Sequence, residues 1–167
     1  MSSATTPLSV RFASTSETAL VASVLEEAHA WLCSRGEPLW THADLLPVAI
    51  AKDVAAAQYV LVPWKTDALA TARLTLSDPQ FWPDAAAGEA LYLHRLAVRR
   101  GHAGRGVAPA VLDWCRAHAR ALGCRFLRLD CDARRPRLRQ VYEDFGFAFH
   151  SERSIGPYTA ARYQLPT

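Results

Sequence analysis

From Leu96 to Ala108 the chain reads as an apolar strand that runs through Gly101, Gly104 and Gly106 directly into a helix. Few arrangements satisfy that order. Glycines let a backbone turn tightly and approach a ligand, and the first amides of a helix point at an anion with the helix dipole behind them. Arg105 adds a charge inside the turn. A strand, a glycine turn and a helix at the centre of a chain predict an α/β fold with its ligand at the strand's carboxyl end. Taken alone, however, a glycine pair can be no more than a turn.

Charge supports an anionic partner. Residues 99–139 hold eleven arginines against Asp113, Asp130 and Asp132, a net charge of +8, whereas residues 1–60 are net −3. Such a basic stretch suits nucleic acid or a phosphorylated cofactor. The cluster Arg134, Arg135, Arg137 and Arg139 sits in no recognised DNA or RNA module, so no nucleic-acid partner is expected. The chain's 167 residues suit one domain over 1–167. No apolar run approaches the roughly 18 residues of a membrane helix, and Met1 to Thr15 has no charged start followed by a hydrophobic stretch. A cytoplasmic protein with no membrane partner is the expectation. Cys33, Cys115, Cys124 and Cys131 form no CxxC pair; a zinc set of Cys115, His118, Cys124 and Cys131 has unusual spacing, so no metal is expected.

Along the chain, Leu8–Ala13 reads as a strand, with Ser14, Thr15 and Ser16 as caps for a helix running to about Ser34. The apolar steps Leu20, Val21, Val24, Leu25, Ala28, Trp31 and Leu32 mark that helix, and Gly36 with Pro38 ends it. A second helix is expected over Asp44–Ala57, then a hairpin of Tyr59–Trp64 and Ala68–Leu76. Ser77–Gly88 reads as a surface connection, Glu89–Arg99 as a central strand, and Val107–Leu122 as a helix. Arg125–Cys131, Pro136–Phe145, Phe147–Arg153 and Ala160–Leu165 succeed it as strand, helix and two strands.

Two motifs carry a resemblance. Leu96 to Ala108 resembles the pyrophosphate loop of the GNAT acetyltransferases, Q/R-x-x-G-x-G/A after a strand ending in Leu-x-Val. Gly101 stands where Gln or Arg is usual, which leaves Arg99 or Arg100 to supply that side chain. Downstream, Tyr142-Glu143-Asp144-Phe145-Gly146-Phe147 resembles the family's Y-E-x-x-G-F ending. The two stand in the family's order, and the resemblance is best from about Glu89 to Phe149.

The resemblance implies a single GNAT-type domain: a mixed, mostly antiparallel sheet with central parallel, splayed strands flanked by helices, and acetyl-coenzyme A (CoA) as co-substrate. It further implies cofactor contacts from Leu96, Ala97, Val98, His102, Ala103, Gly104, Arg105, Gly106, Val107, Ala108 and Tyr142. Arg135 stands where the family often has Asn, and the arginine cluster would meet the ribose phosphate. Tyr142 would donate to the departing thiolate and the Leu96 amide would polarise the thioester carbonyl. Two bases stay open, Glu89 through water and His94 directly. Trp40, Trp82 and Tyr92, with Phe81, could line the acceptor pocket, and Glu37, Asp44 and Asp84 could attract an amine. The expected reaction is acetyl transfer to a small-molecule or peptide amine in a ternary complex, by a monomer or homodimer. A CoA-binding sensor without catalysis is the alternative.

Overall fold

A computed structural model describes residues 8–167; residues 1–7, the start of the expected 1–167 domain, lie outside the described residues. Contacts divide the chain into two compact units. One holds the residues up to Arg73 together with Arg95–Val111, the other Leu74–His94 with Leu112–Thr167.

The first unit opens with β1 (Arg11–Phe12), shorter than the strand expected over Leu8–Ala13. Glu17 then caps the turn into α1 (Thr18–Ser34), accepting hydrogen bonds from the Ser14 amide at 2.8 Å and from the Arg11 guanidinium at 2.8 Å and 2.6 Å. The second helix, α2, spans Pro47–Ala55 rather than Asp44–Ala57. Its start is set by Pro47, whose fixed φ and missing N–H suit a first helical position; His42–Leu45 before it is a 3₁₀ turn capped by Thr41. Strands β2 (Tyr59–Trp64) and β3 (Asp67–Thr75) form the expected hairpin, running from Tyr59↔Arg73 to Trp64↔Asp67. The register shifts between Val62 and Pro63, where proline offers no ladder donor. Val21, Val24 and Leu25 of α1 pack with Ile50 and Val54 of α2 and with Tyr59 and Leu61 of β2.

Strand β4 (Ala90–Val98) passes from the second unit into the first. In the second unit its first residues pair in parallel with β5 (Phe126–Asp132), as Ala90↔Phe126, Leu91↔Leu127 and Tyr92↔Arg128. α3 (Val107–Ala121) precedes β5, and α4 (Pro136–Phe145) comes after it. Gly146 ends α4 at φ +116°, the left-handed turn that lets the chain re-enter the sheet. β6 (Ala148–Ile155) and β7 (Tyr158–Pro166) close the chain antiparallel, and β7 inserts beside β5, from Phe126↔Pro166 to Asp132↔Ala160. The fold is α/β with one mixed sheet ordered β1-β2-β3-β4-β5-β7-β6.

The connection before β4 is more than surface chain. Trp82 within it is only 3% exposed, because Arg162 of β7 donates to Phe81 O at 3.1 Å and to Asp84 Oδ1 at 2.9 Å, while Arg153 of β6 donates to Gln80 O at 2.9 Å. Among the described residues, no helix is long and apolar enough to cross a membrane.

Candidate active site

In the first unit the site begins inside β4. Arg95 adopts φ +52°, a left-handed conformation that a non-glycine residue takes at a cost of about 1–2 kcal/mol. Its side chain helps hold that backbone, donating to the Asp44 carbonyl at 3.2 Å and to the Tyr59 hydroxyl at 3.1 Å. One left-handed residue breaks the period of a strand and re-aims the residues after it. Those residues are Leu96, Ala97 and Val98, with Ala97 buried and its neighbours half-buried.

After Val98 the chain makes a 3₁₀ turn at Arg100–His102, and Gly104 and Gly106 take φ +73° and +79°. No atom crowds either glycine, so the backbone angle rather than space calls for glycine. Ala103, Gly104, Arg105 and Gly106 are exposed. The ladder of α3 starts with the Ala110 amide donating to Gly106 O at 3.2 Å, so the N–H groups of Val107 and Ala108 have no partner within the helix. Pro109 lacks an N–H altogether. The turn thus presents amides and a helix N-terminus outward, together with Arg105.

The side chain missing at Gly101 is not replaced by Arg99. Arg99 donates to Glu27 Oε2 at 2.8 Å, Asp67 Oδ1 at 2.7 Å and Ser23 Oγ at 2.8 Å, and is committed to joining α1 and the hairpin to the end of β4. Arg100 gives its amide to Glu27 at 2.8 Å and lays its guanidinium 3.8 Å from the Trp31 ring centre. His102 is half-buried, its ring 6.4 Å from that of Trp64.

The second unit holds titratable groups of its own. Tyr142 is 9% exposed on α4, edge-on to Phe147 at 5.9 Å. Burial, reinforced by Cys131 and Asp130, raises its pKa well above the usual phenol range, so it holds its proton and stays available as a hydrogen-bond donor. His94 places Nε2 2.9 Å from Thr75 Oγ1. Asp78, His94 and Asp130 each bring one potential ligand atom within 4.8 Å of the others. Asp130 is pushed up to about 7 by burial and by the charge of Asp78.

Glu89 is tied down: Arg128 donates to its carboxylate at 2.9 Å and lowers its pKa, which weakens it as a base. Arg135 occupies the N-cap position of α4 without a side-chain cap, and its Nε lies 3.9 Å from Asp132 Oδ2. Of its neighbours, Arg134 is paired with Asp132 at 2.9 Å and Arg139 donates to the Tyr163 hydroxyl at 2.8 Å, while Arg137 is exposed. The aromatic residues expected in an acceptor pocket pack against the cores of the two units. Trp40 packs on the core of the first unit. Trp82 and Tyr92 bury together with Phe81, Ala85, Ala90 and Phe126, and Arg128 and Arg162 stack on the Trp82 ring at 4.6 Å and 4.8 Å. Cys115, Cys124 and Cys131 are buried thiols whose pKa values burial raises.

Residues 19–147 match the model of the Acetyltransferase (GNAT) family. The chain belongs to the GNAT acetyltransferases. It is therefore an acyltransferase by family. This GNAT chain is 31% identical over 137 residues to the uncharacterised N-acetyltransferase YesJ of Bacillus subtilis, covering 77% of itself and 75% of that relative. Its fold matches a GNAT-family acetyltransferase of Listeria monocytogenes with a TM-score of 0.76 at 22% identity, over 95% of both chains. It also matches the PaiA N-acetyltransferase of Thermoplasma acidophilum, solved with coenzyme A, with a TM-score of 0.74 at 10% identity over 96% and 100% of the chains. For yncA of Salmonella typhimurium, solved with its cofactor acetyl-CoA, the TM-score is 0.72 at 14% identity over 96% and 94%.

Asp78, Asp130, Thr75 and the left-handed Arg95 were not singled out by the sequence. Asp130 did carry a signal, since a carboxylate inside the apolar run Phe126–Cys131 has to be accommodated by something. Arg95 carried none, because nothing in its identity marks a positive φ.

Proposed function

We propose that the chain is an acetyl-CoA-dependent N-acetyltransferase acting by direct attack of a primary amine in a ternary complex. The observation that carries this is the exposed turn from Ala103 to Gly106, with φ +73° and +79° at its glycines, opening onto the first amides of α3, which have no partner within the helix. Such a turn suits the pyrophosphate of CoA, with the helix dipole and Arg105 adding attraction. PaiA and yncA, which share the fold, were solved with coenzyme A and acetyl-CoA. Leu96, Ala97 and Val98 would meet the pantetheine by backbone hydrogen bonds, with the Leu96 amide polarising the thioester carbonyl. His102, Ala103 and the helix start Val107-Ala108 complete the cradle, and Arg135 and Arg137 would meet the ribose phosphate.

Of the two bases, His94 is the better suited, since Glu89 is held in its ion pair with Arg128. Imidazole takes a proton from the amine, the nitrogen attacks the acetyl carbon, and the carbon–sulfur bond breaks. Tyr142 donates a hydrogen bond to the leaving sulfur. A free thiol has a pKa of about 8.5 and a phenol about 10. With its pKa raised further, Tyr142 stabilises developing thiolate by hydrogen bonding and hands over its proton only as another replaces it.

Tyr142→Phe tests the assignment. We expect kcat to fall about 100-fold or more with CoA affinity, measured by calorimetry, within about threefold of the parent. Equal turnover would remove Tyr142 from the chemistry. CoA binding by the parent without thiol release for any amine would favour a CoA sensor, the reading to which the loss of a side chain at Gly101 points.

A further inference from the structure

Most acidic groups on one face of the second unit are paired with an arginine; two are not. Tyr92 and His94 of β4, Arg128, Asp130 and Asp132 of β5, and Arg162 and Gln164 of β7 alternate onto one side, and the segment carrying Asp78 and Asp84 is pinned there. Glu89 binds Arg128 at 2.9 Å, Asp84 binds Arg162 at 2.9 Å, and Asp132 binds Arg134 at 2.9 Å. Among the described residues, Asp78 and Asp130 have no such arginine. Asp78 Oδ1 accepts the Phe81 amide at 3.2 Å, and its Oδ2, shut off from solvent, has no hydrogen-bond partner. Asp130 also acts electrostatically on Cys131 and on the phenols of Tyr142 and Tyr158, where the charges of Asp132, Glu143, Arg135 and Arg139 are felt as well. Two carboxylates therefore face one imidazole, with an orphaned buried oxygen among them, 4.8 Å or less apart.

We propose that Asp78 and Asp130 are the specificity residues of the acceptor site, taking the amine as its ammonium and selecting alkyl di- and polyamines over amines that carry a neighbouring carboxylate. This rests on the N-acetyltransferase reading and names its substrate class. An ammonium offers three N–H donors and one positive charge, which matches two acceptor oxygens and the Thr75–His94 pair. A second carboxylate on the acceptor would meet like charge, and the nearby guanidinium groups that could offset it are already engaged. The protons balance. R–NH₃⁺ gives one proton to neutral His94, the amine nitrogen forms the bond to the acetyl carbon, and the carbon–sulfur bond breaks. The second nitrogen proton replaces the one that Tyr142 passes to sulfur. His94 then releases its proton to water, so that one proton leaves per turnover. Asp130 lies within 4.8 Å of His94, close enough to influence this exchange, and its pKa is pushed up to about 7.

The test uses the whole protein in two arms. Without acetyl-CoA, 1,4-diaminobutane titrated into ¹⁵N-labelled protein is expected to shift the amide signals around Asp78, His94 and Asp130, and 4-aminobutanoate at the same concentration to leave them in place. With acetyl-CoA, Asp130→Asn and Asp78→Asn are each expected to raise KM for 1,4-diaminobutane at least tenfold while CoA affinity stays within about threefold. Asp130→Asn should also displace the ascending limb of kcat/KM against pH, which a merely structural change would not do. Equal shifts with the two probes, or unchanged KM in both variants, would overturn the proposal. Diamine binding without thiol release would instead overturn the N-acetyltransferase reading and leave the ammonium site standing.

Discussion

Replacing Arg99 by Ala tests whether this arginine is a strut or a phosphate ligand. Its side chain is 17% exposed and its guanidinium makes five contacts: Glu27 at 2.8 Å, Asp67 at 2.7 Å, Ser23 Oγ at 2.8 Å, Ser23 O at 3.1 Å and Ala68 O at 3.2 Å. Asp67 is 55% exposed and can return to water, so its pairing is worth at most about 1 kcal/mol. Glu27 keeps the Arg100 amide. The Ser23 and Ala68 carbonyls lose charged donors, worth about 1.5–3 kcal/mol in favourable cases. Together the loss should come to about 2–4 kcal/mol, a fall in Tm of about 5–15 °C for a chain this size. Urea denaturation and calorimetric titration with CoA read the two roles separately. The reasoning is refuted if stability stays within about 0.5 kcal/mol of the parent while CoA affinity drops tenfold or more, because Arg99 would then serve the cofactor and not the fold.

Other consequences are as direct. Gly106→Val forces a β-branched residue to φ +79°, and CoA affinity should fall at least tenfold with about 1–2 kcal/mol lost in stability; unchanged affinity would dissociate the turn from the cofactor. Glu89→Gln leaves the Arg128 guanidinium, 6% exposed, without its carboxylate, so about 3 kcal/mol of stability should go while the pH profile of kcat keeps its shape; loss of the ascending limb would restore Glu89 as the base. Asp130 has its folded pKa raised to about 7 by burial and Asp78, so its contribution to stability is full below the ordinary carboxylate pKa near 4 and is lost as pH rises through about 7. Denaturation midpoints at pH 5 and pH 8 should therefore differ more in the parent than in Asp130→Asn, and equal differences would contradict that environment.

The sequence made the glycine turn into α3 and the end of α4 readable because backbone geometry there is written in residue identity. Gly104 and Gly106 announce positive φ, Val107 onward announces a helix, and Gly146 announces where α4 stops. Pro47 carried equal information about the start of α2, but the charged first turn from Asp44 obscured it. The surroundings of Trp82 were hidden for a different reason. Whether Trp82 lines a pocket or fills a core depends on Arg128 and Arg162, which lie 46 and 80 positions further along the chain and clamp its ring from β5 and β7. Asp78 and Asp130 likewise acquire meaning only through the pairing that leaves them without an arginine. Glu89 and His94 were indistinguishable as bases until the partner of each was known: Arg128 for one, Thr75 for the other.

The measurement that bears most directly on the whole account is titration of the protein with acetyl-CoA in a calorimeter, followed in the same sample by addition of 1,4-diaminobutane and detection of free thiol. One acetyl-CoA should bind per chain, with thiol released only once the diamine is present. Absence of acetyl-CoA binding to correctly folded protein would contradict it.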